Sequence, residues 1–176
     1  VATRSYGRND DGRGWVGMRF QTRPRQQPSE VIIHAHLTDS TAPRQQEALG
    51  ILGVNLIFAA FEIHKEPAEL IGSLMDDLGR ERVEIDMIKC SGPAFPGIDN
   101  RLISLQLVEQ GLTDAAMFKA SGEVVQPAEV LYKKPVLVER GSFRPPTKLT
   151  LDLLERSKEQ FVIEPDVQGE QPVVLA

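Results

Sequence analysis

A single cysteine, Cys90, stands in 176 residues. No internal disulfide is available, so the core must hold without covalent staples, and a reducing compartment fits that usage best. Long apolar runs are missing too. The longest, Ala48 to Phe61, falls short of the roughly 20 residues that span a bilayer and is broken by Gly50, Gly53 and Asn55. The first residues lack the charged start and apolar stretch of a secretory leader. A cytoplasmic location without a membrane partner is therefore expected. Histidine is sparse as well, with three residues to supply any imidazole chemistry, and aromatic residues make up 6% of the chain.

What is present is an ordinary globular composition. Hydrophobic residues are 41% and charged residues 26%, close to domain averages, which excludes a disordered or fibrous chain. The length suits one domain that buries most of its surface. Net charge is −5, with Arg4, Arg8, Arg13, Arg19, Arg23 and Arg25 early and Asp152, Glu155, Glu159, Glu164, Asp166 and Glu170 late. An acidic chain with few aromatics beside its arginines is a poor nucleic-acid footprint, so no nucleic-acid partner is expected. The chain starts at Val1 without methionine and stops at Ala176 as Pro172 to Leu175 read as a strand. It reads as a fragment of a longer protein.

Periodicity places the elements. Residues 1–30 form an arm with one strand, Trp15 to Phe20, where apolar residues alternate. Residues 31–176 read as an α/β domain. Val31 to Leu37 is a compact apolar strand leading to a helix capped at Thr41 that runs to Ile63, apolar on several faces, with Gly50 and Gly53 for close packing. Asn55 within it needs a neighbouring backbone group as partner. Pro67 opens an amphipathic helix ending near Gly79; Arg82 to Cys90 alternates as a strand; Asp99 caps a helix over Leu102 to Val108, terminated by Gly111. Ala115 to Lys119 and Pro135 to Arg140 are strands, and Pro127 to Tyr132 and Leu149 to Phe161 are helices. Alternating strands and helices predict a mostly parallel sheet flanked by helices, in a single domain with an N-terminal arm or edge strand.

Ligands of open α/β sheets bind beyond the carboxyl ends of strands, which draws attention to the turn from Gly141 to Lys148. A glycine-led turn opening a helix offers backbone N–H groups to phosphate, with Ser142, Thr147, Arg144 and Lys148 alongside. Gly141, Ser142, Phe143 and Pro145 resemble the first turn of nicotinate- and nicotinamide-nucleotide adenylyltransferases. In that family a histidine pair follows; here Thr147 and Thr150 stand at those positions, without the charge that would stabilise transition-state oxygens. More broadly, the segments Gln45 to Asn55, Asp99 to Leu102, Gly111 to Ala115 and Leu131 to Thr147 resemble the middle region of a bacterial protein family. Its members are variously labelled nicotinate-nucleotide adenylyltransferase or TonB-dependent receptor. The resemblance implies an α/β fold and a bacterial origin, and under the first label a nucleotidyltransferase-like domain.

Other candidates are read from spacing. His34 and His36, two apart on a strand, face one way and could hold a metal with Asp39 beyond the strand end. Asp99, Asn100 and Arg101 at a helix start suit a polar ligand, Arg101 as fork-shaped donor. Cys90 has no assignable base beside it and reads as a small buried or semi-buried thiol. No complete catalytic set emerges. The function expected is a non-catalytic binding or assembly module, partnered by the remainder of its own longer chain or by further copies. The alternative is a divergent nucleotide-binding domain using the Gly141 to Thr147 turn.

Overall fold

The computed structural model describes residues 2–4, 12–167 and 169–175. Arg8, the Arg4 side chain, Val1 and Ala176 lie outside them. The chain divides into two compact units, Val1–Gln126 and Pro127–Ala176.

In the first unit four strands lie side by side in chain order: β1 (Ala2–Arg4), β2 (Gly12–Phe20), β3 (Ser29–Leu37) and β4 (Val83–Ser91). Every neighbouring pair is antiparallel. Strict alternation gives β3 its two faces. Val31, Ile33, Ala35 and Leu37 are buried in a core shared with Val83, Ile85, Ile88 and Cys90 of β4. The helices complete that core: α1 (Ala42–Phe58, continued by a π-helical turn Ala59–Ile63), α2 (Pro67–Ser73) and α3 (Asn100–Glu109). Ala48, Leu52, Leu56, Ala59 and Ala60 come from the first of these, Leu70 and Ile71 from α2, Ile103 and Leu107 from α3. A short hairpin, β5 (Met117–Phe118) with β6 (Val124–Val125), follows. The second unit has α4 (Pro127–Leu131), β7 (Val136–Val138), α5 (Lys148–Phe161) and β8 (Val173–Leu175), with β7 and β8 parallel.

The expected mostly parallel sheet in a single domain is thus replaced by an antiparallel one in the first unit. Two connections account for it. Residues 21–28 close β2 onto β3 as a hairpin, which is necessarily antiparallel. Between β3 and β4 the chain makes two passes rather than one: α1 carries it away from the end of β3, and α2 with the turns after it bring it back. Thr38 N–H, just past β3, donates to the carbonyl of Arg82, just before β4, at 3.0 Å. Strand β4 therefore starts where β3 stops. A single helix does join β7 to β8, and this is the one parallel pair among the described residues. At the N-terminus β1 is the edge strand of this sheet, pairing with Arg13, Gly14 and Trp15 of β2. Strand β2 starts at Gly12, ahead of its alternating apolar residues, where a Cβ would stand 2.5 Å from the Gln45 side chain.

Three helix details also depart from expectation. Thr41 starts α1 by its extended backbone but makes no side-chain cap. The α2 helix stops at Ser73 and single turns carry the chain to Gly79. Most consequential is α1, which is not packed on all sides. Opposite its buried stripe, Val54, Ile57, Phe58 and Phe61 are 66%, 54%, 51% and 46% exposed, and nothing lies within 4 Å of a Cβ placed on Gly50 or Gly53. Ala42–Ile63 is the one helix among the described residues long and apolar enough to cross a membrane, and only 28% of its most apolar window is buried in the protein.

Asn55 finds the backbone partners its position demands. Its amide donates to the carbonyls of Leu74 at 3.0 Å and Asp76 at 2.7 Å, pinning the turns after α2 to α1. Replacing Asn55 with Ala removes both bonds and is expected to lower unfolding free energy by about 1–3 kcal/mol. Urea denaturation checks this; a change under about 0.5 kcal/mol, the scale of a neutral surface substitution, would show that the bonds carry no stability.

Candidate functional site

The face of the sheet opposite the core carries the histidines. His34 and His36 project from β3, and each meets an acid from β4. His34 Nδ1 lies 2.6 Å from Asp86 Oδ1, and His36 Nδ1 lies 3.3 Å from Glu84 Oε2. Each acid has a second tether from the segment that follows α3: Gln126 Nε2 donates to Asp86 Oδ2 at 3.1 Å, and Thr113 Oγ1 donates to Glu84 Oε1 at 2.8 Å. Trp15 of β2 stands edge-on to His34, ring centres 4.8 Å apart. The β3–β4 register shifts between His34 and Ala35, which lets Asp86 turn to this face beside Met87. A neutral imidazole that donates Nδ1–H to a carboxylate keeps Nε2 as acceptor, the arrangement of an oriented base. Access is the obstacle: His34 is 6% exposed and Gln126 3%. The network works as a buried polar lock that fastens the segment around residues 113–126 onto the sheet.

Asp39 does not join it. Its carboxylate accepts from Arg82 Nε at 2.8 Å, and Arg82 also reaches Glu47 at 2.9 Å. Among the described residues no group of three or more histidine, cysteine or acidic side chains is placed to hold a metal ion. Glu84, Asp86, Thr113, Gln126 and Trp15 escaped the sequence reading. The alternation of β4 does put both acids on its wet side, but their pairing with the histidines depends on register.

Asp99, Asn100 and Arg101 are brought together and largely occupied. The Asp99 carboxylate accepts from the Arg101 backbone N–H at 2.9 Å, capping α3, and from its guanidinium at 3.0 and 2.6 Å. Those bonds, the side-chain one foremost, hold the Asp99 carboxyl below its ordinary range. Asn100 clasps the end of β4, accepting from Cys90 N–H at 2.7 Å and donating to its carbonyl at 3.0 Å. With Lys89, Ser121 and Glu123 the three line a cleft of about 480 Å3 whose charges balance.

In the second unit the Gly141 to Lys148 turn joins the carboxyl end of β7 to α5, with Gly141, Ser142, Arg144, Thr147 and Lys148 all exposed. Thr147 caps the helix: its hydroxyl accepts from Thr150 N–H at 3.2 Å and lies 2.9 Å from the Thr150 hydroxyl. Both threonines that would face a phosphate are thereby engaged by the helix itself.

Cys90 points into the core, and burial pushes its thiol up to about 12. It is expected to resist a disulfide reagent at pH 8 in the folded protein and to react freely in guanidinium; equal rates would contradict its burial. For the lock, Asp86→Ala removes a bond to a buried pair, side chains 7% and 15% exposed, and is expected to cost about 1.5–3 kcal/mol. Glu84→Ala acts on a pair whose acid is 39% exposed and is expected to cost under about 1 kcal/mol. Denaturant midpoints of the two variants check the order, and a reversed order would refute it. Comparison with models of known protein families, with curated proteins and with solved structures finds no match.

Proposed function

We propose that the chain is a binding and assembly module that pairs with a second copy of itself through the outer face of α1. One observation carries this: Val54, Ile57, Phe58 and Phe61 lie exposed on one side of the longest helix. Together they leave on the order of 400 Å2 of apolar surface in water, within the range that marks interaction sites. The stripe suits its own copy in shape and charge. It is thin at one end, at Gly50 and Gly53, and bulky at the other, at Ile57, Phe58 and Phe61. An antiparallel pair with its two-fold axis between Gly53 and Val54 sets Gly50 against Ile57 and Gln46 against Phe61, as an isologous interface requires. The same axis brings exposed Arg44 near exposed Glu62 of the other copy. Two such stripes with their flanking residues approach the roughly 1,000 Å2 that a specific interface needs. A spanning role suits the helix less, since its other stripe belongs to the core of the sheet.

Sedimentation and light scattering test the reading. The wild-type chain is expected to be dimeric at high micromolar concentration, and I57E with F58E is expected to be a folded monomer. R44E is expected to weaken the dimer and R44E with E62R to restore it. A wild-type monomer at all concentrations, or flotation with lipid vesicles in place of dimerisation, would overturn the proposal.

A further inference from the structure

Beside the end of α1 lies a second feature, lined by none of the four exposed stripe residues. A groove of about 520 Å3 opens between the residues after α1, the loop following β4, and α3. This loop is rigidly set. Gly92 has φ +93, and a Cβ there would stand 2.6 Å from the Ser29 backbone, so the chain passes β3 at a distance only glycine allows. Ser29 Oγ, buried, then accepts from Ala94 N–H at 2.8 Å, fixing Ala94 and Phe95 as the groove wall. Phe95 is buried and stands edge-on to His64 and Phe20 at 6.4 and 6.1 Å. Ile98 and Leu102 add apolar surface, and Leu102 is 63% exposed.

Four polar side chains break this lining, His64, Lys65, Asp99 and Gln106, the last donating to Glu109 at 2.7 Å. His64 Nδ1 is buried without a hydrogen-bond partner, and an unsatisfied buried nitrogen costs about 1–3 kcal/mol until something bonds to it. Lys65, exposed at the rim, supplies a positive charge. The one acid in the lining, Asp99, has its charge matched by Arg101. A cleft of this size, mainly apolar with a few convergent polar groups, has the character of a small-molecule site.

We propose that this groove binds a small organic anion: an apolar body against Phe95, Ile98 and Leu102, with one carboxylate held by Lys65 at the rim. None of Val54, Ile57, Phe58 and Phe61 lines the site; Phe61 adjoins it only through Phe20, which stands edge-on to both Phe61 and Phe95.

Anilinonaphthalene sulfonate, which joins an apolar body to one anionic group, serves as fluorescent probe, with octanoate, octanol and octylammonium as competitors. The probe is expected to brighten on binding and to be displaced by octanoate about tenfold more readily than by octanol or octylammonium. K65E is expected to remove that preference while leaving octanol competition unchanged. L102E, at an exposed position, is expected to weaken probe and octanoate about tenfold, a loss of one ion-repelled contact. I57E with F58E, which alters the α1 stripe, is expected to leave octanoate binding unchanged. Fluorescence lost only in I57E with F58E would place the probe on α1 and overturn the groove. So would equal displacement by octylammonium, or affinity indifferent to both K65E and L102E.

Discussion

Strand β3 is bonded to β2 along Ser29–Leu37 on one edge and to β4 from Glu30 to Leu37 on the other, so its two faces have separate fates. Because side chains alternate, one register decides both. In the observed register Val31, Ile33, Ala35 and Leu37 complete the apolar core, and the same pairing sets His34 against Asp86 and His36 against Glu84. A slip of one residue would turn charged groups into the core and leave the histidines facing the helices. The core and the polar lock therefore stand or fall together, and the lock in turn holds the segment that carries Thr113 and Gln126.

Helix α1 shows how far a helix can serve two purposes. Its inner stripe of alanines and leucines lies close to the sheet, which small residues permit. Its outer stripe is equally apolar, yet Val54, Ile57, Phe58 and Phe61 stay about half exposed, even with Phe20 edge-on to Phe61. Folding alone requires only the inner face. Four large apolar groups left in water along one stripe of the outer face are best understood as surface awaiting a partner. The groove beside its far end has a different character, with fixed walls and a polar rim suited to a small molecule rather than to a helix.

Much of the local structure was legible. The compact apolar run Val31 to Leu37 and the alternation of Arg82 to Cys90 marked two core strands, and Asp99 and Pro67 marked helix starts because their capping or φ-setting chemistry is local. Asn55 announced its need for backbone partners from its apolar surroundings. The direction of strand pairing was not legible. A strand, a helical stretch and another strand look alike whether the chain passes over the sheet once or twice, and the shortness of α2 hid the second pass. The site suffered for the same reason. Histidine spacing located one half of the lock, while Glu84 and Asp86 read as wetted acids until β4 lay against β3.

The sequence by itself determined where elements form, which face of each is apolar, and which residues cap them, since these follow from neighbours a few positions apart. Tertiary structure decided what those faces meet: antiparallel rather than parallel strands, Asp39 with Arg82 rather than with the histidines, and an α1 face left open. Such outcomes depend on groups tens of residues apart being brought within hydrogen-bond range, and no pattern along the chain records which of them will meet.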